Sequence, residues 1–129
     1  MARRTISVPG LGHGRQPIPF GVAVGPIFVT GSISGIDADS GLRPTEAAEE
    51  FDHAFRNAER ALVAAGLGMG DVAKVEVTLA DAADRDLLNQ VWVRWFPDEG
   101  DRPVRHTGEA PLPRGLRIQL SLLAATDPR

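Results

Sequence analysis

Only two stretches of this chain carry the three- and four-residue apolar spacing of a helix, whereas at least five read as strands. From Phe51 onward, Ala54, Phe55, Ala58, Leu62 and Ala65 form one apolar stripe. Leu87, Leu88, Val91, Trp92 and Trp95 form the other. Two helices cannot cover both faces of a sheet of that size, so they are expected together on one face of an α+β fold. The strand order predicted is β-β-α-β-α-β-β. The uncovered face carries small and apolar residues, so self-association is expected to bury it.

The elements around the helices follow from local chemistry. Val22 to Val24 and Ile27 to Ile33, separated by Gly25-Pro26, read as a hairpin. A short strand is expected at Thr5 to Val8, then a loop rich in glycine and proline from Pro9 to Phe20. Turn-forming residues run from Asp37 to Arg43. Thr45 is the expected N-cap of the long helix, with Glu46, Glu49 and Glu50 on its positive end, and Gly66 is the expected left-handed stop. Val72 to Leu79 alternates Val75, Val77 and Leu79 against Lys74, Glu76 and Thr78, the pattern of a half-buried strand. The second helix is expected from Asp81 or Asp84 to Phe96. Strands follow at Val104 to Ala110 and Leu116 to Ala124, the second alternating Leu116, Ile118, Leu120 and Leu122 against Arg117, Gln119 and Ser121. No linker divides the 129 residues, which are expected to form a single domain (1–129).

Composition removes several chemistries. The chain has no cysteine, hence no disulfide, thiolate nucleophile or cysteine-ligated metal, and no tyrosine, hence no phenol acid or base. The formal net charge is −3, and Lys74 is the single lysine among 14 basic residues. That balance argues against nucleic acid as a partner, because phosphate contacts need clustered basic residues. No apolar run approaches the roughly 20 residues of a membrane span. Met1-Ala2-Arg3-Arg4 lacks the apolar stretch of a signal peptide, so a soluble, cytoplasmic protein is expected.

Motif spacing excludes other sites. Gly31-Ser32-Ile33-Ser34-Gly35 lacks the spacing of a nucleophile elbow. Gly66-Leu67-Gly68-Met69-Gly70 follows a helix, the reverse of a phosphate loop. His13, His53 and His106 fall at no metal-ligand spacing. The sharper signal is Arg102-Pro103-Val104-Arg105-His106-Thr107. Alternation places Arg105, Thr107 and Glu109 on one face of a strand and His106 on the other. A guanidinium preset in this way suits a carboxylate held by two parallel hydrogen bonds. Spacing alone favours the plainer reading, a surface arginine paired with an acid such as Glu109, since most arginines are structural or solvated.

In order along the chain, Val29-Thr30-Gly31-Ser32-Ile33, Ala64-Ala65-Gly66-Leu67, Gly70-Asp71-Val72-Ala73-Lys74-Val75 with Leu79-Ala80-Asp81, and Asn89 with Trp92 and Phe96 form a series. Pro103-Val104-Arg105, Leu112-Pro113 and Ile118 to Ala124 complete it. From Phe20 to Ala124 the chain resembles the RidA (YjgF) family of reactive imine and enamine deaminases. The resemblance implies a chorismate-mutase-like α+β fold, assembled as a homotrimer whose sheets close a central barrel. It implies clefts between subunits that take a small carboxylated metabolite, with no cofactor and no metal. Arg105 would hold the carboxylate, helped by the backbone around Gly31 and Ser32, with Thr30 in place of the usual serine. Asn89 would support the cleft.

The chain departs from that family at several positions. Phe20 stands for the N-terminal tyrosine, Thr107 for a cysteine, and Gln119 and Ser121 for the glutamates of the final strand. Glu109, or His106, is then the candidate replacement base. Three activities remain open: hydrolysis of 2-imino or enamino acids to 2-oxo acids and ammonia, divergent chemistry on an unstable carboxylated intermediate, and metabolite binding without catalysis.

Overall fold

The computed structural model describes residues 2–127, so Met1 of the N-terminal reading lies outside the described residues. Seven strands and two helices follow one another as β1 (Arg3–Ile6), β2 (Gly21–Val24), β3 (Ile27–Thr30), β4 (Ile33–Ser34), α1 (Ala47–Ala64), β5 (Val72–Leu79), α2 (Arg85–Trp95), β6 (Val104–Glu109) and β7 (Ile118–Ala125). The sheet order is β1-β2-β3-β7-β5-β6, with β4 also pairing β7. All pairings are antiparallel except β5 with β6, which α2 connects as a parallel crossover. The two predicted helices and the α+β class are present. The short strand expected at Thr5 to Val8 lies at Arg3–Ile6, and Val8 instead bridges Leu11. One strand, β4, comes in addition to those expected.

The predicted strand from Ile27 to Ile33 is interrupted. Val29 pairs with Leu123 and Ile33 with Leu120, so three residues on one strand face two on the other. The Thr30 hydroxyl accepts the backbone N–H of Leu122 at 3.0 Å, replacing the lost ladder bond. Gly31 and Ser32 are thereby pushed out of the sheet, into the exposed turn that the candidate site uses.

Helix α1 buries the predicted stripe. Phe51, Ala54, Phe55, Ala58 and Leu62 are all fully covered. It meets β7, β4 and α2, so both helices lie on the face formed by Val75, Val77, Leu79, Ile118, Leu120 and Leu122. Phe55 sits among Trp92, Trp95 and Phe96, with ring centroids 6.0–6.4 Å away. Gly66 ends the helix at φ 80°, as expected. The N-cap differs from expectation. Glu46 occupies it without a side-chain bond, and Thr45 offers its carbonyl to Arg117 Nη2 at 2.9 Å.

Glu50 also departs from its predicted place on the helix dipole. It is fully buried, with Oε2 accepting Arg117 N and Oε1 facing Arg117 Nη1, both at 2.7 Å. Gly35 allows this approach, because a Cβ there would collide with the Glu50 backbone. The pair ties the start of α1 to the start of β7.

On the other side of the sheet, Ile27, Val29 and Leu123 remain 42%, 40% and 39% exposed. Among the described residues no helix is long and apolar enough to cross a membrane.

Candidate functional site

Arg105 lies in β6, the edge strand, in register with Val75 of β5 and therefore on the helix-covered face. The edge position leaves room for a long side chain to lie against α2. Its Nε donates to Thr107 Oγ1 at 2.9 Å and its Nη2 to Asn89 Oδ1 at 2.7 Å. The guanidinium carbon lies 5.0 Å from the centroid of the Trp92 ring. The two hydrogen bonds take one edge of the guanidinium and the Trp92 ring covers one face, which leaves Nη1 without a partner among the described residues and open to a ligand. Among the described residues the ion pairs are Arg56–Asp52, Lys74–Glu76 and Arg117–Glu50, so Arg105 is oriented but unneutralised. Burial lowers its pKa from the usual arginine range, and the charge of Arg85 lowers it further. The cation is thus costlier in the folded chain than in water. A bound anion removes that cost.

Glu109 shares the face of Arg105, as alternation requires, yet does not meet it. Four residues of strand separate them by roughly 13 Å. The Glu109 carboxylate instead accepts the N–H of Ala82 at 2.7 Å, at the turn that leads into α2. That contact closes the corner between β5 and α2. His106 is exposed on the opposite face, in register with Glu76.

The remaining predicted residues gather on the other side of the sheet. Gln119 is in register with Ser34 and Thr78, facing away from the core, and its Nε2 donates to Ser32 Oγ at 2.7 Å. Gly31 N donates to Phe20 O at 3.1 Å, which fixes the turn against the start of β2. Phe20 is buried. Gln119, Ser32 and Phe20 line a cleft of about 270 Å³, which His13 and Arg114 also border. Ser121 lies on the same face, in register with Glu76.

The structure therefore brings the predicted residues together as two groups. Arg105, Asn89 and Thr107 form one at the helix-side edge. Gly31, Ser32 and Gln119 form the other, across the sheet from Arg105; Phe20, buried in the core, is tied to it through Gly31 N, and Thr30 is turned to Leu122 N. One chain does not bring both to a single ligand. Sequence reasoning did not single out Glu50–Arg117 or the cleft position of His13. No local pattern marks either, since the partners of Glu50 lie 67 residues away. Among the described residues, no three His, Asp or Glu side chains cluster closely enough to hold a metal ion.

This fold, with the Pro103-Val104-Arg105 edge and the Thr30-Gly31-Ser32 turn, defines a class. Residues 21–126 match the family described as endoribonuclease L-PSP, which includes the YjgF and RidA proteins, and the chain belongs to that family. Among its relatives is the rat (Rattus norvegicus) 2-iminobutanoate/2-iminopropanoate deaminase, 38% identical over 104 residues that cover 79% of this chain and 74% of the relative. A RutC family protein of Aquifex aeolicus is 28% identical, covering 85% of this chain and 93% of its own. The crystal structure of the Escherichia coli YjgF gene product shares the fold with a TM-score of 0.88, at 24% identity, covering 96% of this chain and 99% of that one.

Proposed function

We propose that the protein is a cytoplasmic hydrolase of 2-imino and enamino acids, R–C(=NH)–COO⁻ + H₂O → R–CO–COO⁻ + NH₃. The observation that carries this reading is Arg105, an oriented guanidinium without an ion-pair partner among the described residues. The deaminase name of relatives at 35–38% identity supports it. The carboxylate would lie on the open Nη1 end of the Arg105 guanidinium. The Gly31–Ser32 turn and Gln119 would come from a second copy, since one chain keeps the two groups apart. The resemblance to RidA proteins makes that assembly a homotrimer with a central barrel, of chorismate-mutase-like type. The strip of Ile27, Val29 and Leu123 is then its buried face.

Such a reaction asks little of the protein. Holding the carboxylate and aligning a water supplies several kcal/mol. A general acid or base adds typically 10²–10⁴-fold. Gln119 and Ser121 cannot ionise in the relevant range, so that factor falls to Glu109, whose second carboxylate oxygen has no hydrogen-bond partner among the described residues, or to His106. The Gln119–Ser32 bond, which occupies the position of a family carboxylate, favours a second reading: a carboxylate-binding protein with little turnover. The small ligand and the net charge of −3 set nucleic acid aside in both.

The deciding experiment generates imines in situ with an amino-acid oxidase and follows 2-oxo acid release. The native protein is expected to exceed the uncatalysed rate and Arg105→Ala to match it. Equal rates for both proteins would remove the deaminase reading, and saturable 2-oxo acid binding without turnover would establish the second.

A further inference from the structure

The reading above gives no role to His13, which also borders the cleft beside the Gly31 turn. His13 Nε2 is the single buried side-chain nitrogen or oxygen without a hydrogen-bond partner among the described residues. Its ring stacks on Phe20 with centroids 5.7 Å apart and planes 26° from parallel. It lies directly over Gly31, so that a Cβ at position 31 would stand 3.2 Å from Nε2. The segment that carries it is held in place. Leu11 N donates to Val8 O at 3.0 Å and Gln16 N to His13 O at 3.1 Å. His13 shares the cleft of about 270 Å³ with Ser32, Gln119 and Arg114. Arg114 is the one non-glycine residue with positive φ, 56°, among the described residues. Backbone held in that region concentrates at binding sites.

A phenyl ring would stack on Phe20 as well as an imidazole does, without a buried nitrogen to satisfy. The unpaired nitrogen is a standing cost to the fold. A partner that arrives with a ligand accounts for it.

We propose that His13 is a ligand-contacting residue of the cleft, whose Nε2 donates its hydrogen bond to the group on C2 of the bound acid. In the substrate that group is the imine nitrogen, and in the product the 2-oxo oxygen. Both offer a lone pair one carbon away from the carboxylate. His13 thereby selects 2-imino and 2-oxo acids over plain carboxylates. This rests on the carboxylate-pocket reading, in which the Gly31 turn lies beside the ligand, and it adds a discriminating contact to it.

The test titrates the full-length protein with pyruvate and with propanoate, which differ only in the 2-oxo group. Binding is read by calorimetry and by ¹⁵N shifts of the imidazole nitrogens. Pyruvate is expected to move the His13 Nε2 resonance and leave His53 in place. The native protein should prefer pyruvate about tenfold, the worth of one well-made hydrogen bond. His13→Phe should bind both acids alike while melting at or above the native temperature. His13→Gln, which keeps an N–H donor, should retain part of the preference. An unmoved His13 resonance, or a preference unchanged in His13→Phe, overturns the proposal. If Arg105→Ala then weakens both acids, the carboxylate pocket survives without His13. If Arg105→Ala weakens neither, or the native protein binds neither acid, the pocket reading falls and takes the His13 contact with it.

Discussion

Replacing Arg105 with lysine keeps the positive charge but removes the planar fork, which separates electrostatic attraction from bidentate recognition. Lysine reaches a carboxylate as a point charge and cannot also satisfy both Asn89 and Thr107 in the positions Arg105 occupies. One charge-assisted hydrogen bond to the ligand is lost. At about 1.5–3 kcal/mol for such a bond, kcat/KM should fall roughly 10- to 150-fold. Arg105→Ala removes both bonds and should fall to the uncatalysed rate. Stability should respond weakly, because Asn89 is exposed and Thr107 half-buried, so both regain water. The Trp92 contact adds only about 0.5–1 kcal/mol. The expected melting shift is therefore a few degrees. Imine hydrolysis kinetics with matched thermal melts read both quantities. A lysine variant with native kcat/KM would refute bidentate recognition by Arg105. A variant that loses activity only in proportion to lost folded protein would refute it equally.

Other outcomes follow from the same structure. Glu50→Ala strips the buried partner from Arg117 and should cost on the order of 3–5 kcal/mol, lowering the melting temperature by roughly 10 °C or more; Glu50→Asp should recover part of it. Val29→Asp places a charge in the strip shared with Leu123 and should leave a monomer by light scattering, with imine hydrolysis lost although Val29 touches no ligand. Gln119→Glu restores a carboxylate beside Ser32 and should raise the hydrolysis rate at least tenfold, read in the same oxidase-coupled assay. The backbone N–H groups of Asp39 and Ser40 hold the Asp37 carboxyl below its usual pKa of 3.8. A depressed carboxylate pKa contributes stability above the unfolded value that fades as pH falls through the folded one. Amide protection factors in the Asp37–Leu42 turn, taken relative to the intrinsic exchange rate at each pH, should therefore fall below about pH 4, and Asp37→Asn should abolish that dependence.

Much of the architecture was legible because strand and helix periodicities are local. Val75, Val77 and Leu79 read correctly as the inner face, as did the stripe from Phe51 to Leu62. The same alternation correctly put Arg105 and Glu109 on one side of a strand. It did not show that they stand too far apart to pair, or that Glu109 spends its charge on Ala82 N–H. The expected strand through Ile33 failed at Thr30 because a side-chain oxygen substituted for a ladder acceptor, a choice that periodicity does not register. His13 carried no signal at all. Its environment is made by Phe20 and Gly31, which a glycine- and proline-rich segment brings to it.

Residue pattern along the chain was enough for the class of fold, the strand-borne arginine after Pro103, and the family to which both belong. Those features depend on residue types at short spacing, where covalent geometry dictates which side chains share a face. The tertiary structure alone decided which groups became partners. It buried Glu50 against Arg117, left Arg105 without an ion pair among the described residues, and set the arginine and Gln119 beside the Gly31 turn on opposite sides of one sheet. Those outcomes depend on contacts between distant segments, and their energies arise only once water has been excluded between them.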